Sequence, residues 1–307
     1  MKQAKNLFLL VLLSMIILLS ACQNGQKVAN PNVKKPEESS DNKGSWNIAF
    51  EAKFDESTFT LSGFSNEKSG ILMGHLGTIH TTMDGGKTWQ KSESGGHFTY
   101  GLDFIDEANA LCCGDLGGIF ITSNGGKSWK SLPEYDPLDQ NPYQFISFAD
   151  INNGWVASTS KLGHTVDGGQ SWTTMKLPED CKTIAAVQLM TDSVGYILDT
   201  AGVLYTTEDC GKTWVKKSLG LGDERIPGLT PAQVAVIRFS DSKNGLVIFY
   251  NRDRKLRALR TSDGGDTWKD EMIPQVEYGY VYLTRDSSIL SIANPIDKKI
   301  TVLKYVK

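Results

Sequence analysis

Arginine is absent from the first 224 residues. All seven arginines (Arg225, Arg238, Arg252, Arg254, Arg257, Arg260 and Arg285) lie in the last third of the chain. A site that grips a carboxylate with guanidinium groups drawn from the whole length of the protein is therefore excluded, and lysine does not replace the bidentate guanidinium. Histidine is scarce: His75, His80, His97 and His164 follow no ligand spacing, and the five cysteines form no Cys-x-x-Cys pair. That pattern offers no metal frame and no cofactor. No segment keeps a helical period, which excludes a helical domain, whereas short apolar runs bounded by Gly, Asn and Asp recur throughout. Basic clusters are lacking as well. The formal charge is −3, and losing Lys2 and Lys5 with the first 21 residues makes it −5. Nucleic-acid binders show a basic patch or stripe instead.

One eight-residue phrase is present five times. It reads Thr82-Met83-Asp84-Gly85-Gly86-Lys87-Thr88-Trp89 and Thr122-Ser123-Asn124-Gly125-Gly126-Lys127-Ser128-Trp129 in its first two copies. The others are Thr165-Val166-Asp167-Gly168-Gly169-Gln170-Ser171-Trp172, Thr207-Glu208-Asp209-Cys210-Gly211-Lys212-Thr213-Trp214 and Thr261-Ser262-Asp263-Gly264-Gly265-Asp266-Thr267-Trp268. Asp-Gly-Gly between apolar runs is a hairpin turn, since Gly supplies positive φ and the carboxylate accepts backbone N–H bonds. The Trp is an apolar anchor with one donor to satisfy. Tryptophans spaced by 40, 43, 42 and 54 residues fall in the period of β-propeller blades, each a four-stranded sheet. Five tryptophans in one register serve packing rather than a pocket. The phrase residues Asp84, Trp89, Asn124, Trp129, Asp167, Trp172, Asp209, Trp214, Asp263 and Trp268 are therefore read as structural.

These phrases resemble the Asp-box, or bacterial neuraminidase, repeat. Together with the Gly-led strands at Gly70, Gly154, Gly195 and Gly245, they are most similar to the propeller family of photosystem II assembly and stability factors. That resemblance covers residues 46–307 and implies a protein-binding or complex-assembly role without enzymatic activity. Sialidases share the box, but they need an arginine triad, which the arginine distribution denies. Arg225-Ile226-Pro227 echoes their Arg-Ile-Pro signature but follows the fourth box rather than preceding the first.

The N-terminus reads as export. Lys2 and Lys5 precede the apolar stretch Leu7–Leu19, and Leu19-Ser20-Ala21-Cys22 follows. This is the layout of a signal peptide, and its end resembles a lipoprotein processing site with Cys22 lipidated. Two or three acyl chains make a stable anchor to the outer face of the cell membrane. Residues 22–45 then form a polar, flexible tether with a reach of roughly 25–30 Å.

Blade counting gives an all-β propeller over residues 46–307. Blades occupy about Ser57–Glu93, Phe98–Leu132, Gln144–Leu177, Lys182–Leu219 and Gln233–Ile273. Only three strands remain at the C-terminal end, while Gly44-Ser45-Trp46 stands in box register at the other. The N-terminal strand is thus expected to complete a sixth blade; the family resemblance implies seven, which stays as the alternative. Cys112, Cys113, Cys181 and Cys210 are expected as free thiols, because the turns carrying Cys181 and Cys210 lie at opposite ends of one blade.

Each box is expected at the turn between the third and fourth strands of its blade. The opposite face carries the loops that differ: Pro133–Tyr143, Leu219–Pro231 and Asn251–Lys255. Tyr and Arg are favoured contact residues. Tyr135, Tyr143, Arg225, Arg252 and Arg254 are the candidate partner-binding residues. The expected partner is an envelope protein or complex, with a cell-surface glycan, bound or cleaved, as the alternative.

Overall fold

The computed structural model describes residues 27–29, 44–54, 59–74, 77–93, 99–134, 142–181, 183–227 and 233–306. Two strands come first, β1 (Lys27–Ala29) and β2 (Ser45–Lys53). Blade 1 follows with β3 (Phe59–Phe64), β4 (Gly70–Gly74), β5 (Thr78–Thr82) and β6 (Thr88–Glu93). Blade 2 has β7 (Thr99–Phe104), β8 (Ala110–Gly114), β9 (Ile119–Thr122) and β10 (Lys130–Leu132). Blade 3 has β11 (Phe145–Phe148), β12 (Gly154–Ala157), β13 (Leu162–Thr165) and β14 (Thr173–Met175). Blade 4 has β15 (Ile184–Leu189), β16 (Gly195–Asp199), β17 (Val203–Thr207) and β18 (Val215–Ser218). Blade 5 has β19 (Ala235–Phe239), β20 (Gly245–Tyr250), β21 (Leu256–Thr261) and β22 (Lys269–Glu271). Blade 6 takes β23 (Tyr280–Leu283), β24 (Ile289–Asn294) and β25 (Lys299–Val306), and its fourth strand is β2.

The ring therefore has six blades, and the N-terminal strand closes it. Trp46 pairs with Tyr305 and Lys53 with Lys299 in an antiparallel ladder. The Trp46 indole donates to Glu271 Oε1 of blade 5 at 2.6 Å and lies 5.4 Å from the Tyr305 ring. Arg260 binds that same Glu271 and sits over Tyr305. One aromatic side chain thus joins the start of the fold, its end and the blade before the seam.

Burial falls outward within each blade. The innermost strands β3, β11, β15 and β19 are buried throughout, whereas the outermost β14, β18 and β22 have no buried residue. The short outer strands read poorly by apolar pattern for this reason. Inner strands pack against one another around the axis in the order β3, β7, β11, β15, β19, β23 and back to β3.

Each box links two turns and two blades. Its Thr hydroxyl accepts the second glycine's N–H, at 2.9 Å for Gly86 and 2.8 Å for Gly169. The first glycine's N–H reaches the turn between the blade's first two strands, as in Gly125 to Ala108 O and Gly168 to Asn152 O, both 2.9 Å. A Cβ on the second glycine would strike the preceding blade: Gly126 would meet Ile71 at 2.9 Å, and Gly86 would meet Phe50 on the closing strand at 2.8 Å. The second box glycine is thus the point where neighbouring sheets touch, and both φ values are positive. Cys210 takes the first-glycine position in the fourth box and adopts φ 57°.

Two expectations need correction. Part of the segment read as tether is ordered: β1 pairs with β6 as a fifth strand on blade 1, with Val28 opposite Trp89. Backbone pairing on an open sheet edge needs no apolar composition, so sequence gave no sign of it. The box tryptophans are also unequal. Trp89 is fully buried, whereas Trp129, Trp172, Trp214 and Trp268 are half-buried.

Removing residues 23–43 should leave the melting temperature within a few degrees, whereas removing residues 23–50 should open the ring and abolish cooperative melting. Equal melting curves would contradict closure by β2. Trp89→Ala should cost about 3–5 kcal/mol, the range for buried aromatics. Trp129→Ala should cost clearly less in the same denaturation series.

Candidate functional site

The upper face, formed by the turns between second and third strands and by the linkers between blades, carries a cleft of about 620 Å³. Blade 4 supplies Asp199, Thr200 and Tyr205, the linker before it Asp180 and Thr183, the linker after it Arg225 to Pro227, and blade 5 Arg252. The structure therefore brings together two of the candidate residues, Arg225 and Arg252, from separate loops. Arg225 is half-buried, and its Nη1 donates to Gly222 O at 2.9 Å and Glu224 O at 3.1 Å. Arg252 is exposed. Arg254 lies one turn away, exposed, with φ 59° and its guanidinium 5.3 Å from the Tyr278 ring centroid.

The linker after blade 4 is fixed to blade 5. Glu224 accepts from Asn251 Nδ2 at 2.7 Å and from Arg257 Nη1 at 2.6 Å. Ile226 is buried and its N–H bonds Thr200 O at 3.1 Å. The Arg-Ile-Pro echo is thus a loop anchor, with Ile226 in the core of blades 4 and 5.

Tyr143 is not on the surface. It is 1 % exposed, packed with Leu111, Cys113 and Ile146 between blades 2 and 3, and its N–H bonds Gly114 O at 2.9 Å. It anchors the returning linker and is unavailable to a partner. Tyr135 and Cys22 lie outside the described residues.

Charges in the cleft are largely satisfied. Asp199 accepts from the N–H groups of Ala201 and Val203, both at 2.9 Å, and from Tyr205 Oη at 3.4 Å. Burial and this carboxylate push the Tyr205 phenol well above its ordinary value. Burial and Asp199 likewise raise the Cys181 thiol to about 12. Lys216 binds Asp180 at 2.8 Å. Among the described residues, no group of three His, Cys, Asp or Glu is arranged to hold a metal ion. Cys112, Cys113, Cys181 and Cys210 are free thiols.

A second polar constellation, not anticipated, crosses the axis. Asp103 on β7, 1 % exposed, accepts from Arg238 of blade 5 at 3.1 Å and Arg285 of blade 6 at 2.9 Å. Blades 2 and 5 stand opposite in a six-membered ring, so this ion pair spans it. Arg285 also donates to Phe104 O and Phe148 O. The same register on the inner strands holds Gly63, Asp103, Ser147, Gln188, Arg238 and Tyr282. Asp103 accepts Phe148 N–H at 2.8 Å, Ser147 accepts Leu189 N–H at 3.1 Å, and Gln188 accepts Phe239 N–H at 2.6 Å. Arg238 donates to Leu283 O at 3.3 Å. The signal for it in sequence is a polar residue just before the last apolar residue of an inner strand. Arg238 and Arg285 are thus bound here, Arg257 and Arg260 bind acidic partners, and Arg254 lies against Tyr278, which leaves Arg225 and Arg252 as the pair in the cleft.

The lower face carries the boxes. In each, the acidic or amide residue binds both Thr or Ser residues; Asp167 accepts Ser171 N–H at 2.9 Å and its hydroxyl at 2.5 Å. The Ser171 hydroxyl and N–H hold Asp167 down at about 2, the Thr213 hydroxyl and N–H do the same for Asp209, and the Thr267 hydroxyl holds Asp263 lower still.

The fold is that of a six-bladed β-propeller. Residues 96–220, spanning blades 2 to 4, match the family described as photosynthesis system II assembly factor YCF48. Two YCF48 structures are similar overall. The one described as bound to D1 peptide is 14 % identical with a TM-score of 0.54, covering 88 % of this chain and 97 % of that one. YCF48 from Cyanidioschyzon merolae is 16 % identical with a TM-score of 0.52, covering 85 % and 98 %. A catalytically inactive virginiamycin B lyase from Staphylococcus aureus, with quinupristin, is 12 % identical with a TM-score of 0.54, covering 89 % and 99 %. No curated protein matches the chain. The chain is thus a propeller resembling the photosystem II assembly factors, on a fold that also hosts a lyase.

The box carboxylates predict an acid limb. Their folded values lie below the ordinary aspartate value near 3.9, so their contribution is fully present above about pH 4 and is lost as pH falls towards 2. The melting temperature should drop across that window, and Asp167→Asn should shrink the drop. A flat profile from pH 4 to 2 would contradict the assignment.

Proposed function

We propose that this protein is a lipid-anchored, extracytoplasmic propeller that binds a segment of an envelope protein or complex on its upper face, as a non-enzymatic scaffold. The observation that carries the reading is the cleft joining Arg225 and Arg252, on the face where the blades differ. Supporting it, a YCF48 structure of the same fold is described as bound to D1 peptide. Cys22 after its apolar stretch supports the anchor. The cleft's two carboxylates are both engaged, Asp199 by the N–H groups of its own turn and Asp180 by Lys216, which supports binding rather than acid–base chemistry. A glycan remains the alternative ligand.

A photo-crosslinking amino acid at position 252 should capture a membrane protein from intact cells, whereas one at position 127, on the box face, should not. Arg225→Glu should reduce capture at 252, with the melting temperature of the variant measured alongside to separate loss of the loop's own bonds to Gly222 O and Glu224 O from loss of the partner contact. Capture from 127 alone would invert the faces. Cys22→Ser should move the protein from the membrane to the soluble fraction.

A further inference from the structure

The cleft does not end on the upper face. A groove of about 300 Å³ shares Asp180, Tyr205 and Lys216 with it and continues down the rim between blades 3 and 4 to Gly211 and Trp214 of the fourth box. Strand β17, which contributes Tyr205 to it, has five residues, a run of roughly 17 Å at about 3.3 Å per residue. That length matches an extended peptide of about five residues.

Two features mark this rim among the blades. The indole N–H groups of Trp89, Trp129 and Trp268 each donate to a glycine carbonyl of their own box at 3.1 Å, and that of Trp172 donates to Pro133 O at 3.2 Å. Trp214 Nε1 is buried without a partner. Its neighbour Trp155, fully buried with ring centroids 6.0 Å apart, is in the same condition. An unmet buried donor is costly, and a ligand carbonyl would relieve it once a shift of the half-buried Trp214 ring brings the N–H to the groove. Second, β18 is an outer sheet edge like β10, β14 and β22, and of these four it is the one that exposes a large apolar side chain, Val215 at 59 %. Residues 212, 214 and 216 alternate along one face, and all three line the groove.

The protein itself shows what such an edge accepts. On blade 1, β1 adds to the outer edge of β6 with Val28 opposite the box tryptophan Trp89. We propose that the outer edge of blade 4 takes an extended segment of a partner protein in the same way, as a fifth strand on β18, with a carbonyl accepting from Trp214. Main-chain pairing supplies affinity and the groove reads alternate side chains. Lys212 at its lower end and Glu179 on the facing linker favour a segment carrying both charges. This rests on the protein-binding reading above and extends it from the upper face to the rim.

The test uses the full mature chain, 15N-labelled at tryptophan, against a positional-scanning library of acetylated, amidated pentapeptides. Binding pools should move the Trp214 indole resonance downfield. Trp214→Phe, which removes the N–H and keeps the ring, should weaken binding roughly three- to tenfold, the size of one hydrogen bond. Its melting temperature should stay within a few degrees because no existing bond is lost. Trp268→Phe should leave affinity unchanged. If no pool moves Trp214, or if Trp214→Phe binds equally well, the proposal fails. Loss of cross-linking at 252 with the Trp214 response intact would overturn the upper-face reading alone.

Discussion

Everything in this molecule depends on side chains that reach from one inner strand to the backbone of the next. Asp103, Ser147, Gln188 and Arg238 each bond the adjoining blade at its final apolar residue. The pattern breaks at Gly63, whose Cβ would stand 3.0 Å from the Tyr282 ring. There Tyr282 passes over blade 1 to meet Phe104, 5.7 Å between centroids, and Arg285 reaches blades 2 and 3. Two arginines share one carboxylate, so the cluster keeps a positive charge at the axis. Removing one member of a buried pair typically costs about 3–5 kcal/mol, because the other is left uncompensated. These bonds fix the angle between blades, and that angle places loops from different blades side by side in the upper cleft.

Much of this was legible in the chain. The boxes gave turn positions and blade count, because Asp-Gly-Gly-x-Thr-Trp has a local physical cause: a glycine is required both by positive φ and by the approach of the next sheet. The closing strand was visible in Trp46 for the same reason. The strand β1 was not, since backbone pairing leaves no side-chain signature. The axial ion pair was hidden because Asp103 and Arg238 look like ordinary polar interruptions until the ring sets them opposite each other.

The site was legible in part. Arg225 and Arg252 could be placed on one face by topology, and the structure seats them in one cleft. Tyr143 misled: a tyrosine in a Pro-rich linker reads as a contact residue, but its ring fills space beside Gly117 and Cys113. The distinction between exposed and inward-turned linker residues is set by the path of the loop, which composition does not encode. Repetition itself helps to locate function. The fourth box departs from its siblings through Cys210, and its tryptophan lacks the acceptor that the other four have.

Closure by β2 also has a cost in time. Glu51 and Thr301 bond across a separation of 250 residues. Synthesis adds about 5–20 residues per second, so β2 stays unpaired for roughly 10–50 seconds before its partner exists. Through that interval two sheet edges are open, one at each end of an incomplete arc, and a five-bladed arc can pair with another chain as readily as with itself. The polar stretch around β2, with Glu51, Lys53 and Asp55 interrupting its apolar residues, makes the waiting strand a poor template for aggregation.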